Sequence, residues 1–259
     1  MGNNNLLDLS GKVAVVTGSS KGLGFSQAKA LAEVGAKLVV NCRHKEELNK
    51  ITSEIKRIGG SVLAIEADIS DEEQIIEMFK SIFEHYGRID ILVNNAAADI
   101  LNINPEEIPM DKWDRVIGTN INGTFICCRE AGKIMIRQKS GRIVNVSSIS
   151  AYIVNKDAIG VAYNVSKSGI IMITKTLAVN WAKYNINVNA VVPGYHGTET
   201  SIPWFEKNPD IYKEVLSNIP LKKLGDPKDL ANFIVVLSSD IAKYMTGSII
   251  IIDGGYTCW

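Results

Sequence analysis

The sequence predicts a single α/β domain, residues 1–259, in which about seven parallel strands form a doubly wound sheet with helices on both faces. Three observations lead to this fold class. Apolar runs of strand length alternate with segments of helical periodicity along almost the whole chain, as in repeated right-handed βαβ units. A chain of 259 residues with 46% hydrophobic side chains fits one large α/β domain. Its 21 Gly and 7 Pro are ordinary amounts, which excludes disordered and fibrous classes.

The first half of the chain alternates four strands with three helices. The strands are short β-branched or aliphatic runs at Lys12–Thr17, Lys37–Asn41, Val62–Glu66 and Ile89–Asn94. The helices repeat apolar residues at helical spacing over Leu23–Val34, Lys45–Arg57 and Asp71–His85. Asp71 stands where a negative charge stabilises the N-terminus of a helix.

The second half opens with a long helix, Lys112–Gln138, that glycine interrupts. The alternation then resumes, with strands at Arg142–Val146, Asn187–Val192 and Ser248–Ile252 and helices at Tyr163–Tyr184 and Pro227–Ser238. One stretch breaks the pattern, because Tyr195–Pro220 carries three prolines between a strand and the next helix. We predict an irregular lid or substrate loop at about residues 195–220.

Composition limits the partners of the chain. Lys and Arg number 28, as do Asp and Glu, and no basic run occurs, which argues against a nucleic-acid partner. No apolar run approaches the ~18 residues of a membrane span, and the N-terminus does not resemble a signal peptide. The four Cys lack metal-ligand spacing, so we predict no disulfide framework, no metal site, and reduced thiols in a cytoplasmic protein.

A glycine-rich turn, reading TGSSKGLG over residues 17–24, follows the first strand directly and leads into the first helix. Glycines permit a tight turn and close approach of a pyrophosphate, and the helix N-terminus supplies free N–H groups. The GxxxGxG spacing alone also suits a structural turn, but its position in an α/β pattern favours a nucleotide site. The predicted cofactor contacts here are Gly18, Ser20, Lys21, Gly22, Leu23 and Gly24.

Further motifs cover nearly the whole chain. They are Asp68-Ile69, Asn94-Asn95-Ala96, Asn120, Ser148, Tyr163-Asn-Val-Ser-Lys167, Pro193-Gly194 and Asp253-Gly254-Gly255. With the glycine-rich turn, they make the sequence resemble the short-chain dehydrogenase/reductase family. The resemblance implies a Rossmann-type single domain, a nicotinamide cofactor, and assembly as a homotetramer or dimer.

The same resemblance assigns further cofactor contacts. It implies that Asp68 and Ile69 contact the adenine and that Asn95 contacts the adjacent ribose, with Ala96 beside it. It also implies that Pro193, Gly194 and Thr198 lie near the nicotinamide. The family motif usually reads NNAG, whereas Ala97 stands here in place of glycine and adds a methyl group to a turn that approaches the cofactor.

The end of the second strand indicates which cofactor is used. An NAD enzyme of this fold places a carboxylate there to bind the ribose hydroxyls, but this strand ends Asn41-Cys42-Arg43. The Arg43 guanidinium can bind a 2′-phosphate through paired hydrogen bonds, and Lys21 supplies a second positive charge. Although the two cations also fit an ordinary solvated surface, the sequence favours NADP(H) over NAD(H), with Asn41 and Arg43 as contacts.

Tyr163 and Lys167 stand four residues apart in a predicted helix, so they share one face. A phenol is a poor base at pH 7, and a nearby ammonium lowers the pKa of the phenol by favouring the phenolate. Tyr163 then exchanges the proton of an alcohol or carbonyl oxygen. On its own this spacing is more typical of a surface pair; together with the other motifs it predicts a catalytic pair.

Two serines compete for the third catalytic position. A common family spacing of thirteen residues before the tyrosine selects Ser150, whereas the register of the strand end selects Ser148. We choose Ser148, because two extra residues are tolerated in the following loop. Its hydroxyl would hold the substrate oxygen. Ser147 and Ser150 are then loop or helix-cap serines.

Two further polar residues belong to the predicted site. Asn120 is unfavourable in the middle of a helix, and the resemblance implies that it holds a water linking Lys167 to solvent. His196, in the predicted substrate loop, is either a substrate contact or, as we favour, a plain loop histidine.

The substrate is predicted only as a class of small carbonyl or alcohol. The longer loop after Ser148 is similar to that of NADP-dependent polyol and ketose reductases, and Pro193-Gly194-Tyr195 is similar to gluconate 5-dehydrogenases. Alternatives are a 3-oxoacyl thioester reductase, a hydroxysteroid dehydrogenase, or an inactive NADPH-binding sensor. Because the last residues, 249–259, are largely apolar and aromatic, we expect a homotetramer that covers them.

Overall fold

The computed structural model describes residues 6–98, 100–155 and 160–259. Its strands are β1 (Val13–Val16), β2 (Lys37–Cys42), β3 (Val62–Glu66), β4 (Ile91–Asn94), β5 (Gly141–Val146), β6 (Ile186–Pro193) and β7 (Ile249–Ile252). They form one sheet in the order β3-β2-β1-β4-β5-β6-β7, and every neighbouring pair is parallel. The chain winds outward from β1 to β3 and then returns to β4. The winding direction therefore reverses between β1 and β4, where such sheets open a crevice at their carboxyl ends.

Helices connect the strands on both faces of the sheet. They are α1 (Gly22–Glu33), α2 (Lys45–Arg57), α3 (Glu72–Tyr86), α4 (Met110–Ile117), α5 (Thr124–Gln138), α6 (Val161–Trp181), α7 (Ser201–Lys207), α8 (Pro209–Asn218) and α9 (Pro227–Ser238). A π-helical turn, Gly118–Gly123, joins α4 to α5. Within the described ranges, no helix is both long and apolar enough to cross a membrane.

Two apolar layers hold the helices to the sheet. One lies beneath α1, α2 and α9 and includes Leu31, Ile55 and Ile234, all fully buried. The other lies beneath α3, α5 and α6 and includes Ile82 and Met135, also fully buried. The central strands β1 and β4 are fully buried because helices cover both of their faces, whereas the edge strands β3 and β7 are only partly buried. The predicted doubly wound parallel sheet with helices on both faces is therefore confirmed.

The predicted boundaries agree with the structure to within a few residues at most elements. Asp71 is the N-cap of α3, and its carboxylate accepts hydrogen bonds from the backbone N–H groups of Glu73 and Gln74. The interruption predicted in Lys112–Gln138 is the π-helical turn, so the chain stays helical there but with a wider turn.

The prediction of an irregular loop at about residues 195–220 was wrong. This stretch contains α7 and α8, whose apolar faces form a small core around Phe205, Val215 and Ile219. Pro209 occupies the first turn of α8, where a helix needs no backbone N–H from it. Pro203 likewise lies in the first turn of α7, whereas Pro220 lies beyond the end of α8, so two of the three prolines are accommodated at helix starts.

Candidate active site

A cleft of about 1300 Å³ opens at the carboxyl ends of the strands. Most of the predicted site residues line it: Gly18, Ser20, Lys21, Gly22, Leu23, Gly24, Asn41, Arg43, Asp68, Ile69, Asn95, Ala96, Ser148, Tyr163, Gly194 and Thr198. Asn120, Lys167 and Pro193 are buried behind its wall. The structure thus brings residues from six strand ends to one surface.

The glycine-rich turn packs too tightly for side chains at two of its positions. Gly18 has φ +60°, and a Cβ there would lie 2.7 Å from the Cα of Ala96. A Cβ on Gly24 would overlap the carbonyl oxygen of Gly18. At these positions no side chain separates the backbone from the edge of the cleft. The N-terminus of α1 lies beside them. This is the form of cradle that accepts a pyrophosphate.

Asn95 holds that turn in place rather than presenting a free side chain to the cleft. Its amide nitrogen donates to the carbonyl oxygens of Thr17 (3.1 Å) and Gly18 (3.0 Å). Thr17 Oγ1 accepts in return from the backbone N–H groups of Asn95 and Ala96, both at 3.1 Å. Ala97 is exposed and lines the cleft.

The two predicted cations, Arg43 at the end of β2 and Lys21 in the glycine-rich turn, each face a carboxylate. Arg43 Nη1 lies 3.8 Å from Asp68 Oδ2, with half of the arginine side chain exposed. Lys21 Nζ lies 3.4 Å from Glu47 Oε1, and Ser20 Oγ donates to Glu47 Oε2 at 2.6 Å. Asn41 anchors this corner by donating to the carbonyl oxygens of Ile65 and Ala67. Sequence reasoning missed Glu47, which comes from the first turn of α2.

Tyr163 and Lys167 lie one turn apart on α6, as predicted. Lys167 Nζ is 5.4 Å from the centre of the Tyr163 ring and donates to the carbonyl oxygen of Val146 at 2.9 Å. The side chain is 2% exposed, and this burial lowers the pKa of Lys167 to about 8. The ammonium is thus a buried positive charge behind a tyrosine that faces the cleft.

The three serines after β5 have different surroundings. Ser148 and Ser150 both line the cleft, but Ser148 is half-buried whereas Ser150 is buried. Ser148 Oγ accepts from the backbone N–H of Ser150 at 3.2 Å, which leaves the Ser148 hydroxyl proton available to a ligand. Ser147 turns inward, and its hydroxyl donates to the Lys167 carbonyl oxygen at 2.7 Å. Ser147 therefore ties β5 to the helix that carries the tyrosine.

Asn120 lies in the π-helical turn and is fully buried. Its Oδ1 accepts from the backbone N–H of Ala98 at 2.8 Å, and its Nδ2 donates to Ser166 Oγ at 2.9 Å. Ser166 in turn donates to the carbonyl oxygen of Tyr163 at 2.7 Å. The side chain of Asn120 thus braces the turn that carries the tyrosine.

The far end of the cleft is lined by groups that sequence reasoning did not identify. They combine aromatic and polar side chains from the segment after β5, from α7 and α8, and from the C-terminal residues: Asn155, Trp204, Phe205, Glu214, Asn218, Tyr256 and Trp259. His196 is buried, with Nδ1 3.0 Å from the carbonyl oxygen of Gly194 and the ring packed against Gly225. His196 also lines the cleft, so its two interpretations, a loop histidine and a substrate contact, both stay predictions.

Glu199 joins the segment before α7 to the cofactor loop. Its Oε1 accepts from the backbone N–H of Gly22 at 2.6 Å, across 177 positions of sequence. Because Gly22 begins α1, the carboxylate satisfies one of the free N–H groups at the helix N-terminus. No group of three His, Cys, Asp or Glu side chains in the described segments is placed to hold a metal ion.

Comparison with known proteins places this arrangement among oxidoreductases. A family model described as enoyl-(acyl carrier protein) reductase matches residues 18–257. Glucose 1-dehydrogenase 2 of Bacillus subtilis is 37% identical over 254 residues, covering 97% of this chain and 97% of its own length. The 3-oxoacyl-(acyl-carrier-protein) reductase FabG of Thermotoga maritima is 38% identical over 250 residues, covering 95% and 98%.

A solved structure extends the comparison to three dimensions. The crystal structure of a gluconate 5-dehydrogenase from Burkholderia cenocepacia, in complex with NADP and tartrate, superposes with a TM-score of 0.92. It is 26% identical in sequence, and the match covers 98% of each chain.

Proposed function

The chain belongs to the short-chain dehydrogenase/reductase family of oxidoreductases, which act on CH–OH groups, and from that premise we propose that it interconverts a secondary alcohol and a ketone on a polyol, ketose or sugar acid with NADP(H). The observation that carries the proposal is the cleft itself. It is continuous from the glycine-rich turn, past Ser148 and Tyr163, to the polar and aromatic residues of its far end.

The cofactor end of the cleft fits a dinucleotide. The bare backbone at Gly18 and the N-terminus of α1 suit a pyrophosphate, and Asp68 and Ile69 line the part assigned to the adenine. Gly194 and Thr198 line the part assigned to the nicotinamide. When bound, a nicotinamide cofactor supplies or accepts the hydride.

The proton is handled by the chain's own residues. In reduction the Tyr163 hydroxyl donates its proton to the carbonyl oxygen of the substrate, and in oxidation the phenolate takes the alcohol proton. The buried ammonium of Lys167 favours the phenolate by Coulomb attraction. The Ser148 hydroxyl donates to the same substrate oxygen and stabilises the charge that develops there.

The far end of the cleft supports a small hydroxylated substrate. Asn155, Glu214 and Asn218 offer amide and carboxylate groups that bind hydroxyls, while Trp204 and Trp259 offer flat apolar surface. Two of the relatives are named for glucose and gluconate, which are both small hydroxylated molecules. The FabG relative favours a second candidate, reduction of a 3-oxoacyl thioester.

A direct test is the oxidation of NADPH, followed by absorbance, with a panel of carbonyl compounds. The panel contains fructose, sorbose, xylulose, 5-ketogluconate, an acetoacetyl thioester and a keto-steroid. We expect turnover with one or more of the first four. Turnover restricted to the thioester or the steroid would refute the proposed substrate class. Absence of turnover with every compound would support the alternative of an inactive NADPH-binding sensor.

The preference for NADP(H) rests on Arg43 and Lys21. Charge-assisted hydrogen bonds to a 2′-phosphate are worth roughly 1.5–3 kcal/mol each, so one gives about a tenfold preference. Arg43→Ala should raise the Michaelis constant for NADPH strongly and leave that for NADH nearly unchanged. Lys45→Ala is the matched control, since it removes an exposed cation of the same region that lies outside the cleft. Equal effects of Arg43→Ala on both cofactors would contradict the assignment.

We also propose assembly as a homotetramer. Val165, Met172 and Val179 repeat every seven residues on α6, so they share one face, and all three are exposed. Ile251 and Trp259 are exposed at the end of the chain. Apolar stripes of this kind are typical of subunit interfaces.

A further inference from the structure

The corner of the cleft at the end of β2 contains a carboxylate that the proposed function does not use. Glu47 lines the cleft beside Arg43, and it accepts hydrogen bonds from Ser20 Oγ at 2.6 Å and Lys21 Nζ at 3.4 Å. A hydroxyl and an ammonium are the donors that a phosphate would also use. Glu47 therefore holds two of the groups best suited to bind a 2′-phosphate.

Glu47 is ionised in this position. The hydrogen bond from Ser20, assisted by the charge of Lys21, keeps the pKa of Glu47 below its usual value. At neutral pH the corner thus combines Lys21 and Arg43 with Glu47 and Asp68, and the four charges cancel. In the neighbouring recess the charges of Arg115 and Glu66 also cancel.

A corner of balanced charge attracts a 2′-phosphate less strongly than Arg43 and Lys21 would without their carboxylate partners. A 2′-phosphate carries about −2 charge, so it is repelled by Glu47 while it competes for Lys21. A ribose 2′-hydroxyl is neutral and can donate to a carboxylate. Cys42 offers no such acceptor at the strand end, because its thiol donates to the carbonyl oxygen of His44 at 3.2 Å.

We propose that Glu47 is a specificity-determining residue that opposes NADP(H) and supports NAD(H). It does so by engaging Ser20 and Lys21 and by placing a carboxylate where the 2′-substituent of the adenosine ribose lies. This proposal rests on the proposed function for the location of the adenosine, and it assigns Glu47 the opposite effect to Arg43. Removal of its charge weakens its hydrogen bonds with Ser20 and Lys21, so that a phosphate competes for both donors more easily.

The test measures binding rather than turnover. Dissociation constants for NADP⁺, NAD⁺, 2′,5′-ADP and 5′-AMP are determined by calorimetry for the wild type, Glu47→Gln and Glu46→Gln. Glu46 lies on the same turn of α2, is exposed, and does not line the cleft, so its variant makes the same charge change outside the corner.

In Glu47→Gln we expect NADP⁺ and 2′,5′-ADP to bind about tenfold more tightly, whereas NAD⁺ and 5′-AMP bind equally or less well. One charge-assisted hydrogen bond released to the phosphate gives that factor. Glu46→Gln should leave all four constants within about twofold. Equal tightening in both variants, or unchanged NADP⁺ binding in Glu47→Gln, would overturn the proposal.

The failure of this proposal and that of the NADP(H) preference are distinguishable. A wild type that prefers NAD⁺, together with a shift toward NADP⁺ in Glu47→Gln, would refute the preference and support the role of Glu47. A wild type that prefers NADP⁺, with the preference unchanged in Glu47→Gln, would support the NADP(H) preference and refute the role of Glu47.

Discussion

Replacement of Lys167 by methionine separates the catalytic charge from the packing that surrounds it. Methionine keeps an unbranched side chain of similar length in the buried site but carries no charge. In the wild type the ammonium lies 5.4 Å from the centre of the Tyr163 ring. At that separation its attraction for a phenolate is about 3 kcal/mol at an effective dielectric constant of about 20. We therefore expect kcat at pH 7 to fall roughly a hundredfold.

The fold should tolerate the same change. Burial lowers the pKa of Lys167 from 10.5 to about 8, so keeping it charged in the folded protein costs about 3 kcal/mol at pH 7. Methionine removes this cost but leaves the carbonyl oxygen of Val146 without its donor, which costs about 1–3 kcal/mol. The free energy of unfolding at pH 7 should thus stay within about 2 kcal/mol of the wild type.

The difference in unfolding free energy between the wild type and Lys167→Met should depend on pH in one direction. Between about pH 8 and pH 10.5 the unfolded lysine keeps its proton while the folded one has released it. Because the unfolded state then binds more protons, the wild type should gain stability relative to Lys167→Met as the pH rises through this range. Urea unfolding of both proteins at pH 7 and pH 10 measures this gain.

Steady-state kinetics at saturating cofactor test the predicted fall in kcat of Lys167→Met. Lys175→Met is the control, because Lys175 is an exposed lysine two turns along the same helix. We expect this control to retain wild-type turnover. Near-normal turnover of Lys167→Met at pH 7 would refute the electrostatic role of Lys167, and so would an equal loss in both variants.

Three further predictions concern the serines, the buried asparagine and assembly. Ser148→Ala should lower kcat by at least tenfold more than Ser150→Ala, and the reverse ranking would transfer the role to Ser150. Asn120→Asp should lower the free energy of unfolding by about 1–3 kcal/mol, measured in urea, because a carboxylate cannot donate to Ser166 Oγ; unchanged stability would contradict the hydrogen bond. Light scattering at micromolar concentration should give four times the chain mass, and a monomer mass would count against a tetramer that covers residues 249–259.

The features predicted well from the sequence are those that depend on neighbouring residues. The central strands are mainly apolar runs because both of their faces are covered. Asp71 caps α3 through the backbone N–H groups of Glu73 and Gln74. The cleft was also predictable, since parallel strands present their carboxyl ends at one edge. Tyr163 and Lys167 needed only the helical period to be placed side by side.

The features that were missed depend on contacts between distant segments. Glu47 meets Ser20 across 27 positions, and Glu199 meets Gly22 across 177, so neither pairing leaves a local pattern. The helices α7 and α8 were missed because proline usually interrupts a helix, whereas Pro203 and Pro209 lie in first turns, which accept it. The far end of the cleft is assembled from those same helices, which is why its lining was not predicted.

The π-helical turn at Gly118–Gly123 interrupts the regular α-helical geometry between α4 and α5, and the position of Asn120 depends on it. A π turn is a helix that carries one residue more than α geometry accommodates. Deletion of one residue from the turn would restore α-helical hydrogen bonding. It would also rotate α4, which precedes the turn, by about 100° around the helix axis relative to α5. Asn120 would then swing away from Ala98 and Ser166. A redesign that makes this helix regular would therefore remove the hydrogen bonds by which Asn120 joins the turn to Ala98 and Ser166.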